Sequence, residues 1–127
     1  MPEKHLYEYA VIRLVPRVER EEFFNVGIIL FSKRAKYIKA LYKVDEDKLN
    51  LFSSELDRES LFANLHVFDK ICSGTKEGGP IAALDIPERF RWLTAVRSAS
   101  IQTSRPHPGF SDDLDRTLEI LFRELVL

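Results

Sequence analysis

Two stretches near the N-terminus limit the fold more than anything else in the chain. LYEYAVIRLV, from Leu6 to Val15, and FFNVGIILF, from Phe23 to Phe31, are apolar at both odd and even positions. A strand turns successive side chains to opposite faces, so a run that is apolar in both parities reads as an interior strand of a sheet. Pro16 ends the first run, because its ring removes a ladder donor. A third run, Tyr37 to Lys43, alternates Ile38, Ala40 and Tyr42 against Lys39 and Lys43, which leaves one of its faces in water. Short polar links join the three, and an antiparallel meander is the simplest arrangement.

Past Asp45 the period becomes helical. A short turn over Asp47 to Phe52 precedes a longer helix carrying Leu61, Leu65, Phe68 and Cys72 on one side. Ser54 and Asp57 form a capping-box-like start for that helix, and Ser73-Gly74 forms its stop. Residues 73–80, SGTKEGGP, read as a loop. A second helix starts at Pro87, lines up Phe90, Leu93 and Val96, and ends near Arg97. SASIQTS then reads as a short strand, a fourth for the sheet, running into a tight P-H-P-G loop. Ser111 caps a closing helix with Asp112 and Asp113 in its first turn, Arg123 near its end, and Leu114, Leu118, Leu121, Phe122 and Leu125 on one face. The expected class is α+β: an antiparallel sheet of three to four strands with helices packed mainly on one face. One domain is expected over residues 1–127, since 127 residues is the size of a single unit.

Composition narrows the function classes. Hydrophobic residues make up 45%, nine of them Phe, enough for one core without disulfide or metal. The single cysteine, Cys72, sits in apolar surroundings and reads as a buried reduced thiol, which points to the cytoplasm. No stretch has the length and apolarity of a signal peptide or a membrane span. A net charge of -1 argues against a bulk electrostatic partner such as duplex nucleic acid. His5, His66 and His107 are far apart and no metal-ligand spacing occurs; nucleotide-binding glycine motifs are also missing. No cofactor and no metal are expected. The edge run Tyr37 to Lys43 leaves room for a dimer.

Two places attract attention. An arginine in the middle of an apolar strand costs several kcal/mol unless it is paired or reaches water. If Val15 faces Phe23, antiparallel counting puts Arg13 opposite Asn25, both on one face beside Gly27. This is either a cationic pocket for a carboxylate or phosphate, with Gly27 leaving room for it, or an arginine anchored by Glu22 or by helix carbonyls. The second place is RFRWLTAVRSASIQTSRPHPG, Arg89 to Gly109, which contains four arginines and no carboxylate. Helical geometry makes Arg89 and Arg91 diverge, while Trp92 offers a stacking surface. Arg91, Trp92, Arg97, Gln102 and His107 are either a set that holds a phosphate, a base or a protein carboxylate, or a core tryptophan among solvated arginines. The aspartates Asp112, Asp113 and Asp115 could neutralise those arginines within the fold.

The same segments carry a likeness. Tyr9-Ala-Val-Ile-Arg13-Leu-Val-Pro16 with Arg20-Glu-Glu-Phe23-Phe-Asn25-Val-Gly27, and Arg89-Phe-Arg91-Trp92-Leu-Thr-Ala95 with Arg97-Ser98, Gln102 and His107-Pro-Gly109, resemble the two signatures of a bacterial domain-of-unknown-function family, number three thousand and thirty-seven. Val96 departs from the pattern, which has proline there. The resemblance implies a small cytosolic protein without assigned activity, often encoded beside a HipA-like kinase, and it brings no catalytic residues with it. The leading expectation is therefore a non-catalytic interaction or regulatory module for such a kinase. Its contact surface would be Arg91, Trp92, Arg97 and His107, with Arg13 and Asn25 behind. The alternative is a protein that binds phosphate or nucleotide, or an enzyme acting on a phosphodiester. In it Arg13, Arg91 and Arg97 clamp the anion, His107 moves a proton, and Glu22 or Asp112 orients it.

Overall fold

The computed structural model describes residues 4–16, 22–51, 58–95 and 100–127. Its strands are β1 (His5–Leu14), β2 (Phe24–Ser32), β3 (Tyr37–Tyr42), β4 (Ile101–Thr103) and β5 (His107–Ser111). Its helices are α1 (Glu46–Leu51), α2 (Arg58–Ser73), α3 (Ile86–Thr94) and α4 (Leu114–Leu125). All pairings are antiparallel, so the class is α+β. The sheet order is β3-β2-β1-β4, and β5 also pairs with β1. The sheet therefore has five strands rather than three or four. The extra one comes from His107 to Ser111, where the prolines point only to a loop.

β4 and β5 lie end to end along the same edge of β1. Ile12 pairs with Thr103 and Tyr9 with His107, so the two residues between on β1 face three on the other side. The extra residue is a bulge. Ser104 bridges it: its N–H donates to Val11 O, and its hydroxyl accepts the Val11 N–H. Pro108 is tolerated in β5 because that strand is an edge, where the missing donor can face solvent.

Both faces of the sheet are covered, which is why β1 and β2 are apolar in both parities. On one face Ala10, Ile12 and Leu14 of β1 and Ile29 and Phe31 of β2 pack with Leu61, Phe68 and Ile71 of α2 and Phe90 and Leu93 of α3. On the other, Val11, Ile28 and Leu30 pack under Leu114 and Leu118 of α4, with Tyr7 and Tyr9 at the margin. Thus, among the described residues, α4 takes the second face, over β2 and β3, while the other helices share the first.

The helix ends follow their local chemistry. At the end of α2, Gly74 at φ +73 donates to Ile71 O and Thr75 donates to Lys70 O, the paired bonds of a Schellman stop. The expected start at Ser54 and Asp57 lies outside the described residues. SGTKEGGP is more ordered than a loop: Lys76–Gly78 and Pro80–Ala83 are 3-10 turns. Asp85 caps α3 by accepting from Glu88 N, so the helix opens at Ile86, one residue before Pro87. Asp113, not Ser111, caps α4, accepting from Arg116 N; Ser111 instead accepts from Asp113 N.

Candidate functional site

Arg13 does stand opposite Asn25. It also stands opposite Gln102 of β4, so Asn25, Arg13 and Gln102 form one row across three strands. Gly27, however, is not beside them. The β1–β2 register slips by one residue at Val26, so Gly27 pairs with Ile12 and both Val26 and Gly27 turn to the α2–α3 face. The glycine makes room for its own sheet: a Cβ there would meet Leu41 O at 2.5 Å and Ile12 Cδ1 and Tyr42 Cδ1 at 3.2 Å. Leaving space for a ligand is not its role.

The row is built into the scaffold. Asn25 donates from Nδ2 to Leu125 O at 2.9 Å, tying the end of α4 to the sheet. The Arg13 guanidinium carbon lies 4.1 Å from the centroid of the Phe23 ring, a cation–π contact of about 0.5–2 kcal/mol. Its Nε is buried without a hydrogen-bond partner.

The other predicted residues separate. His107 pairs with Tyr9, the two rings 5.2 Å apart, on the same face as Arg13 but about 13 Å along the strand. Trp92 and Arg91 sit on α3, on the opposite side of the sheet. Arg13 and Arg91 therefore cannot clamp one anion. Arg97 lies outside the described residues. Trp92 is 37% exposed and borders a concavity of about 190 Å³ with Val67, Phe68, Ile71, Leu93 and Ile101.

The acid–base set does not assemble either. Asp112 follows Ser111, which pairs with His5, so it lies at the far end of β5 from His107. Glu22 precedes β2, near the Arg13 row. The aspartates also do not neutralise the arginines of the α3 region. Asp113 caps α4, while Asp115 accepts from Tyr37 Oη at 2.7 Å and lies 3.5 Å from Lys39 Nζ. The Tyr37 hydrogen bond holds the Asp115 carboxyl below its usual range, helped by Lys39. Arg89 is buried and donates to Ile71 O and Cys72 O at 3.3 Å, a cation on the negative end of α2. Among the described residues no group of three His, Cys, Asp or Glu side chains could hold a metal, and no helix is long and apolar enough to cross a membrane.

What the sequence did not reveal is the opposite end of the sheet. Leu6 and Phe110 face each other across β1 and β5 and are 52% and 69% exposed. A concavity of about 390 Å³ beside them is lined by Leu6, Tyr7, Glu8, Phe31 and Pro108 together with the cations Lys33, Arg34 and Arg91. Phe31 stacks on Phe90 of α3, the ring centroids 4.7 Å apart, and Arg91 is the next residue of that helix. The three cations are exposed, and among the described residues none is in an ion pair. By sequence Leu6 belongs to an interior strand, Phe110 falls beyond a loop, and Lys33-Arg34 belongs to a short polar link between strands. Only Arg91 is a candidate from sequence.

Among known proteins, residues 9–126 match the model of a family described as Protein of unknown function (DUF3037). No curated protein and no solved structure gives a match.

Proposed function

The chain belongs to the DUF3037 family, and we propose that it is a non-catalytic interaction module that docks a protein partner on the uncovered end of its sheet. The observation that carries this reading is the Leu6–Phe110 pair, two large apolar side chains standing directly opposite each other and left in water. Scattered apolar residues are ordinary on a surface, but a paired set continuous with an apolar-floored concavity marks a contact surface. Covering what each still exposes contributes roughly 1–2 kcal/mol, against the cost of association. The separation of His107, Glu22 and Asp112 supports binding over catalysis, as does the placing of Arg13 and Arg91 on opposite faces. The partner we propose is a HipA-like kinase, the one that the family likeness implies, and the role is regulation of that kinase by contact.

The experiment is a titration of purified HipA-like kinase from the same organism with the wild-type chain and with a Leu6→Glu, Phe110→Glu variant. Wild type should bind, and the variant should lose at least about tenfold in affinity, because both anchors are removed from the contact. Equal binding by the two proteins would overturn the surface. No binding by wild type would overturn the kinase as partner.

A further inference from the structure

We infer that the concavity at Lys33, Arg34 and Arg91 receives an acidic segment of the partner, anchored by one large apolar side chain. This rests on the interaction reading above and names the chemistry of what is docked. Three observations lead to it. First, the rim charge departs from that of the whole chain. Lys33 and Arg34, from the β2–β3 turn, and Arg91, from α3, converge on one cavity whose lining contains a single carboxylate, Glu8, whereas the chain as a whole carries -1. Cations held together without internal partners raise the local potential and select an anionic partner.

Second, the floor is apolar. Leu6, Phe31 and Pro108 carry no side-chain donor for a free phosphate or sulfate, and Tyr7, whose phenol could donate, packs toward the α4 face, so a bare anion would gain the rim and leave the floor wet. A peptide that carries carboxylates around an aromatic or aliphatic residue satisfies both. Third, the volume of about 390 Å³ is at the low end for small-molecule sites, which run from about 300 to 1,000 Å³. It suits one or two side chains better than a nucleotide or other large cofactor. A second copy of this chain is disfavoured as the occupant, because a symmetric contact would bring the three cations of one protomer against those of the other.

The test is fluorescence anisotropy with three labelled peptides: one of alternating glutamate and glycine around a central tryptophan, the same with the tryptophan replaced by alanine, and the same with the glutamates replaced by lysine. The acidic tryptophan peptide should bind at least about tenfold tighter than either control, and rising salt should weaken it. Lys33→Glu, Arg34→Glu and Arg91→Glu together should abolish that preference. All three positions are exposed, and an Arg91→Gln single variant with unchanged thermal unfolding guards against a folding defect. Equal binding of the acidic and lysine peptides, or competition by inorganic phosphate or an oligonucleotide as effective as the peptide, would overturn the inference. If the peptides fail while the kinase still binds wild type and not the Leu6/Phe110 variant, the acidic segment falls and the docking surface stands. If wild type binds neither the peptides nor the kinase, the acidic segment and the kinase as partner both fall.

Discussion

Ser104 gives Val11 a side-chain acceptor where the edge strand is interrupted: the Val11 N–H donates to the Ser104 hydroxyl at 2.9 Å, and the Ser104 N–H returns to Val11 O at the same distance. The bulge between β4 and β5 therefore costs the buried strand β1 no hydrogen bond. Ser104→Ala should leave the Val11 N–H buried and unsatisfied, destabilising the fold by about 1–3 kcal/mol. Urea unfolding would measure it, with a lowered midpoint expected at an unchanged slope. An unchanged midpoint would mean that the bulge is supported in some other way.

Gly27 is the second fixed point. Its φ lies outside the left-handed region, so the requirement is steric rather than conformational: an added methyl group runs into the Leu41 carbonyl of the neighbouring strand. Gly27→Ala should push β2 and β3 apart and cost about 1–3 kcal/mol, a fall of several degrees in Tm. A variant as stable as wild type would show that the strands yield freely at that point.

Cys72 gives a pH signature. Burial pushes its thiol from 9.0 up to about 12; Asp69 adds to the rise and Arg89 opposes it. Because the folded value is raised, this contribution to stability is complete below about pH 9, where the thiol is neutral in both states. It falls away as pH climbs from about 9 toward about 12, because the unfolded chain ionises first. The buried Tyr42 phenol is raised by burial too and acts in the same direction. Stability against denaturant should therefore decline above pH 9, and a thiol reagent at pH 8 should label Cys72 far faster in denaturant than in buffer. Rapid labelling of the folded protein would contradict the burial.

The strands are legible because the double apolar parity of Leu6–Val15 and Phe23–Phe31 fits a sheet covered on both faces and little else. Even the pairing of Arg13 with Asn25 follows from counting back from a short connection. Counting cannot place the slip at Val26, which moves Gly27 to the other face: a glycine inside a strand marks either a bulge or a close approach, and the pattern around it does not say which. β5 escapes sequence reading because Pro108 and Gly109 are turn residues by propensity, with Pro106 just before them, and only the edge position makes Pro108 acceptable in a strand. The site is the least legible part. Leu6 is a strand residue like its neighbours, and what exposes it is that, among the described residues, no helix packs closely on that end of β1 and β5. Arg91 attracts attention for its place in a basic run, whereas the cations it joins come from a turn more than fifty residues away.

The docking surface is tested most directly by amide hydrogen exchange of the chain alone and in complex with the kinase. Exchange should slow in the Lys33–Lys36 turn and in β5 around Gly109 and Phe110, with the exposed face of α4 unchanged. Protection confined to α4 or to the β3 edge, with the Leu6–Phe110 end exchanging as in the free chain, would contradict that surface.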